Sequence, residues 1–260
     1  MLVRSLALTT ELALAGTRGT ITDRGDYLIV ETPDDPGYYH GNVLVLPAPP
    51  QVGEVAYWTR KFASELGTNP EIRHVTLWWD GVSGDVGAAD ELRAAGFDIT
   101  VSPVMVAEEV IAPPTSFEIR QMTATEVLAG TADIAWAIAD RHDDAYRRFF
   151  QRRAAWHRGL VSRGAATFWG AFDDGTLVGS LGLVPLGNVA RYQDVQTLAT
   201  HRRRGIASAL LAASARHALA EQDIERVIIV AEAGSGADRV YTRAGFRTIE
   251  KIASAVRPPS

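Results

Sequence analysis

The chain of 260 residues contains no cysteine. Disulfides, thiol nucleophiles and cysteine-held metals are excluded at once. Lysine is almost absent as well: Lys61 and Lys251 are the only two, and arginine carries nearly all of the positive charge. No apolar run reaches the ~18 residues that a membrane-spanning helix needs, so no membrane role is expected. The opening "LVRSLALTTELALAG" is interrupted by Thr9, Thr10 and Glu11. It reads as a helix of the mature protein rather than a signal peptide. The net charge of −5 leaves no overall basic field for a nucleic acid backbone. The six histidines show neither HExxH nor any dense ligand spacing, so no metal site is expected. What remains, with 47% apolar and 22% charged residues, is the composition of a globular protein rather than a disordered chain. A soluble cytoplasmic protein is expected, monomeric or homodimeric.

The segment 107–116, "AEEVIAPPTS", carries Pro113-Pro114, which neither continues a helix nor donates to a sheet. A boundary there divides the chain into domains 1–112 and 113–260. In the second, "FEIRQMT" reads as a strand and Thr123 caps a helix running to about Asp140. A further helix follows from about Ala145 to Ser162, then a hairpin turned at Asp174-Gly175. A strand at 190–199, a helix opening near Arg204, the strand "RVIIVAE", a short helix at 236–244 and a strand from Phe246 complete the order. The class is α/β with a mixed sheet.

The first half repeats part of this plan. "NVLVL", "GEVAYWTRKFASEL", "HVTLWWD", "ADELRAAGF" and "DITVSPVMV" read as strand, helix, strand, short helix and strand. Gly96-Phe97 answers to Gly245-Phe246. The strand spacings agree too, about 31 residues from Val43 to His74 and about 32 from Val195 to Val227. Shared order, spacing and landmark point to an internal duplication.

The segment richest in chemistry is "QDVQTLATHRRRGIASALLAAS". A helix N-terminus leaves unpaired N–H groups with partial positive charge behind them, which suits a phosphate. Three arginines beside that end oppose the helix dipole unless an anion sits among them, and their side chains can clamp it. Other readings fail faster. Gly234-x-Gly236 follows a strand, but Arg239 stands where a dinucleotide fingerprint needs glycine or alanine, and too little chain follows. "GVSGDVG" has Asp85 where a nucleophile elbow needs glycine. "RHDDAYRRFFQRR" reads as a solvated helix face whose Asp143-Asp144 could meet a cationic acceptor.

On these residues the chain resembles the GNAT acetyltransferases. Arg202-x-x-Gly205-x-Ala207 at a helix start is similar to that family's acetyl-CoA motif, and "ADRVYTRAGF" resembles its second signature. The resemblance covers about residues 115–255 and implies two GNAT-like domains in tandem, the second one active. It implies that main-chain amides of Arg203, Arg204, Gly205, Ile206, Ala207 and Ser208 hold the pyrophosphate of acetyl-CoA, with Arg202 in the same loop. Leu198 and Thr200 would pair with the pantetheine arm, and Tyr241 would protonate the leaving thiolate. The acceptor would be an amine of a small molecule or peptide. Two departures stand out: Gly234 replaces a common asparagine, and the strand "YQDVQTLAT" lacks a glutamate. Asp194, expected on one face with Gln196, Leu198 and Thr200, and Glu232 are then the candidate bases. A non-catalytic acyl-CoA-binding module is the alternative. In the first copy, Pro47, Pro49 and Pro50 remove donors where a pyrophosphate would need them, and Leu92 falls near the tyrosine position.

Overall fold

A computed structural model describes residues 1–220, 223–231 and 236–259. The helices are α1 (Leu6–Ala15), α2 (Val55–Leu66), α3 (Ala89–Ala94), α4 (Ala124–Ile138), α5 (Asp144–Ser162), α6 (Ile206–Ala220) and α7 (Ala237–Arg243). The strands are β1 (Thr20–Asp23), β2 (Leu28–Glu31), β3 (Val43–Leu46), β4 (Val75–Trp79), β5 (Asp98–Ala107), β6 (Glu118–Gln121), β7 (Thr167–Asp173), β8 (Thr176–Leu186), β9 (Val189–Thr197), β10 (Arg226–Val230) and β11 (Arg247–Arg257). They group into two compact units. The first holds Met1–Val104, Ala231 and the C-terminal stretch from Thr248; the second holds Met105–Val230 and the stretch 236–247.

In the first unit, strands run in the order β1-β2-β3-β4-β11-β5. β1 and β2 are antiparallel, as are β2 and β3, while β3 and β4 are parallel. Period-2 alternation sends β3 to two cores. Leu44 and Leu46 join Val55, Phe62, Leu66, Leu77 and Leu92 beneath α2 and α3, while Val43 and Val45 join Leu8 and Leu12 of α1. The hairpin of β1 and β2 was not legible in the sequence, because every residue of β1 is exposed and no apolar alternation marks it.

The second unit carries the order β10-β9-β8-β7-β6. β6 through β9 are successively antiparallel, and β9 is parallel to β10. Asp174 and Gly175 both take positive φ at the β7–β8 turn, the twist that a two-residue hairpin requires. Thr123 and Glu126 form a reciprocal capping box at the start of α4, as a Thr-x-x-Glu spacing allows. α4 packs along α5, and α6 lies on β7, β8 and β9.

Both units therefore contain an antiparallel ladder ending in a parallel pair, joined by a helix (β3-α2-β4 and β9-α6-β10) and followed by a short helix and strand. The repeat extends to single hydrogen bonds. Phe97 N donates to Leu92 O and Gly96 N to Arg93 O; Phe246 N donates to Tyr241 O and Gly245 N to Thr242 O. Leu92 is thus the counterpart of Tyr241 without a gap.

One difference from the sequence reading concerns the last strand, which a boundary at 112/113 leaves in the second half. β11 instead pairs antiparallel with β4, Ser254 opposite Trp78 and Val256 opposite Thr76. Ala253 and Ala255 are buried in the first unit's core. Strand partners are set by distant edges, and nothing local to residues 247–257 announces which edge they join.

Candidate active site

β9 is paired with β10 only at its start, through Val189, Ala190 and Arg191 opposite Arg226, Val227 and Ile228. Beyond Arg191 its β10-facing edge is unpaired among the described residues. On the β8 side, Gly182 faces Gln193 and Ser180 faces Gln196, so β9 spends one more residue than β8. This is a β-bulge, and Asp194 sits in it with φ +49°. The bulge breaks the alternation that would align Asp194 with Gln196 and Leu198 on one face.

Strand β9 ends at Thr197. Leu198 N donates to Val178 O at 2.9 Å, and Leu198 O accepts from His201 N at 2.9 Å. Thr200 belongs to a short 3₁₀ turn, Ala199–His201, its hydroxyl 2.9 Å from His201 Nδ1. Leu198 N and O are thus both engaged, and the Thr200 hydroxyl turns to His201. Because main-chain groups alternate along a ladder, those of Thr197, opposite Gly179 between two bonded pairs, face the open edge.

The three arginines then divide their work. Arg202 Nε reaches Thr197 O at 3.4 Å. Arg203 is left-handed, φ +63°, with its side chain exposed. Arg204 turns back over the Phe117 ring at 4.5 Å, 3.6 Å from Asp173, which also holds His201 at 3.3 Å. Gly205 has φ +80°, and an added Cβ would meet nothing within 4 Å, so backbone conformation rather than space requires glycine here. Ala209 N bonds Gly205 O, closing the first turn of α6. Among the described residues no acceptor takes up the N–H groups of Gly205, Ile206, Ala207 or Ser208. That is an oriented set of donors at the mouth of a fifteen-residue helix.

Asp194 has a side chain only 18% exposed. Arg153 of α5 grips it in a fork, Nε to Oδ2 at 2.7 Å and Nη2 to Oδ1 at 2.5 Å, and His157 Nε2 lies 3.6 Å from Oδ2. Burial pushes the carboxyl's pKa up, but the charges of Arg153 and His157 outweigh it, and the net direction is down. Tyr241, on α7, is buried, its ring 6.0 Å from Phe246, which in turn lies 6.0 Å from Tyr192 of β9. Glu232 and Gly234 lie outside the described residues. Asp143 serves as the N-cap of α5, accepting from Tyr146 N at 2.9 Å, and pairs with Arg141. It is committed to the helix rather than presented to an acceptor.

The first unit's corresponding mouth is closed by its own carboxylates. Gln51 N donates to Glu54 Oε2 at 2.9 Å and Gly53 N to Glu91 Oε2 at 2.7 Å. β3 and β4 also stay paired to their ends, Leu46 opposite Trp79, with Asp80 N bonding Leu46 O. Two donors of this turn are thereby taken up, and the strand pair shows no open edge among the described residues.

In the second unit an antiparallel ladder thus parts at a bulge beside an uncapped, Gly-containing helix mouth. Residues 131–246 match the family model described as the acetyltransferase (GNAT) family. Solved structures similar over nearly the whole chain include a functionally unknown conserved protein from Staphylococcus epidermidis, 16% identical with a TM-score of 0.74, covering 93% of this chain and 95% of that one. Another is a GCN5-related N-acetyltransferase from Kribbella flavida, 16% identical with a TM-score of 0.66, covering 100% and 98%. A tandem GNAT protein from the clavulanic acid biosynthesis pathway is 15% identical with a TM-score of 0.56, covering 92% and 82%. At such identities the likeness is one of fold: two GNAT-like α/β domains in tandem. The curated protein sequences contain no match to this chain. Among the described residues no helix is long and apolar enough to cross a membrane, and no three His, Asp or Glu side chains gather where a metal could sit.

Proposed function

We propose that the second unit binds acetyl-CoA and transfers its acetyl group to an amine of a small molecule or peptide. The observation carrying this reading is the set of free N–H groups at Gly205–Ser208 beside the open edge of β9. These donors, with Arg203 and Arg204 contributing main-chain amides, suit a pyrophosphate. Thr197 offers main-chain groups to the amide-bearing pantetheine arm. When bound, acetyl-CoA supplies the activated thioester carbonyl that the amine attacks.

The chain's own residues then have two tasks. The bulged edge orients the arm, which converts an encounter into a positioned reaction. Tyr241 Oη supplies a proton to the sulfur as charge develops there. Asp194 is not assigned the role of base, because both of its oxygens are held by Arg153. The direct test pairs a thermal-shift titration with acetyl-CoA and a panel of amines (amino acids, polyamines, aminoglycosides, peptide N-termini) assayed for free coenzyme A. A hundredfold excess of acetyl-CoA over its Kd raises stability by about 2.7 kcal/mol. No shift at millimolar acetyl-CoA overturns the reading.

A further inference from the structure

The reaction leaves Arg153 and Asp194 unassigned, yet they occupy a conspicuous place. Asp194 is the extra residue of the β9 bulge, one of three non-glycine residues with positive φ, alongside Asp174 and Arg203, among the described residues. The bulge falls just past the last β9–β10 pair, where the open edge begins. An extra residue bends its strand and increases the local twist, so this bulge is what carries β9 away from β10. A left-handed aspartate costs about 1 kcal/mol relative to an ordinary conformation, and something must hold it there. Arg153 does so with a two-point grip across from α5.

The grip also defines what α5 can do. Arg153 lies 5.9 Å from the Phe149 ring, and Phe149 clusters with Tyr146 and Phe150 at centroid distances of 4.7 to 5.9 Å. The fork therefore ties a rigid, aromatic stretch of helix to one residue of the strand. A forked guanidinium fixes both distance and orientation, which a lysine would not. Such a partly buried pair adds little net stability over an apolar pair, but it specifies geometry.

We propose that Arg153 is a positioning residue, its fork on Asp194 setting the bulge that opens the β9 edge for the acetyl-CoA arm, and that Asp194 is its anchor rather than a general base. The proposal rests on the acetyl-CoA reading above, so wild-type binding and turnover are measured first; failure there removes that reading and leaves the bulge unexamined.

The test is a charge-pair cycle of Arg153→Met, Asp194→Asn and the double variant, with Arg153→Lys as the conservative change. Asparagine keeps the tolerance for positive φ and the shape of the side chain. Each neutralising single variant should raise the acetyl-CoA Kd roughly tenfold or more, while kcat at saturating substrate falls less than about fivefold. The double variant lacks the fork as each single variant does, so its Kd should stay raised by a similar factor rather than by the product of the two. Arg153→Lys should fall between wild type and Arg153→Met. If Asp194 is the base, Asp194→Asn and the double variant instead lose kcat together by about 10²- to 10⁴-fold with Kd unchanged, and the low-pH limb of the pH profile disappears. That result overturns the proposal, as does an Arg153→Met enzyme or a double variant that binds like wild type. Should Asp194→Asn alone fail to fold, the double variant, free of an uncompensated buried charge, supplies the Kd comparison in its place.

Discussion

The two helix mouths of this chain began from one plan and now differ in what fills them. At the mouth of α2, Glu54 and Glu91 accept the N–H groups of Gln51 and Gly53, and the preceding turn is proline-rich. At the mouth of α6 the amides of Gly205–Ser208 have no such acceptor among the described residues, and three arginines replace the acids. The glycines themselves match: Gly53 has φ +91° and Gly205 +80°. The strand pairs differ in the same sense, β3 and β4 closed to their ends, β9 and β10 parted at a bulge. A fold can therefore keep its backbone landmarks while acquiring internal anions in place of a ligand. The first unit meets two donors of this turn with its own carboxylates; the second unit has no such carboxylates at its turn among the described residues.

The largest expected effect contrasts Tyr241 with its counterpart Leu92. A phenol near the sulfur matters only once thiolate charge develops, so its loss slows chemistry more than it weakens binding. Tyr241→Phe should lower kcat by about 10²- to 10⁴-fold with the acetyl-CoA Kd little changed. Leu92→Ala should leave kcat intact and cost about 2–5 kcal/mol of stability, since Leu92 is fully buried in the first unit's core. A Tyr241→Phe enzyme that turns over like wild type would mean that water or another group protonates the thiolate.

Next in size is the glycine pair. Valine at either Gly53 or Gly205 meets the same left-handed strain, roughly 1–2 kcal/mol, and an added Cβ meets nothing at either site. The two variants should lose similar stability in the absence of ligand. Only Gly205→Val should also lose most of the thermal shift with acetyl-CoA, because relieving its strain disturbs the donors at the mouth of α6. Equal retention of the shift in both variants would break the comparison.

How far the sequence displays these sites depends on how local each feature is. The Arg202–Ala207 motif, the Asp174-Gly175 turn and the Thr123 cap are legible because each is decided within a few residues. The Leu92–Tyr241 equivalence is nearly so, since Gly96-Phe97 and Gly245-Phe246 mark it. The bulge at Asp194 is not, because it exists only as a mismatch between β8 and β9, and a regular alternation was the natural expectation along "YQDVQTLAT". The engagement of Leu198 with Val178 is equally invisible, since it too depends on where β8 lies. The destination of β11 is the least local feature of all. Its residues are ordinary strand formers, and only the unpaired edge of β4 decides where they go.

The smallest effect probes whether the closed mouth is closed by its acids alone. Glu54→Ala and Glu91→Ala each free one main-chain donor in the turn before α2. Losing a side-chain cap of this kind costs about 1 kcal/mol, and the two sites should add nearly independently, since they serve different N–H groups. The double variant should thus melt lower by an amount corresponding to about 2 kcal/mol, read by denaturant titration with an unchanged slope. It should gain no second acetyl-CoA site. Pro49 and Pro50 still withhold donors, and β3 remains zipped to β4 through Leu46 and Trp79, so freed amides have no open edge beside them. Isothermal titration counts the sites directly. A stoichiometry that stays at one locates the difference between the copies in the strands as well as the loop; a rise toward two would place it wholly in the two glutamates.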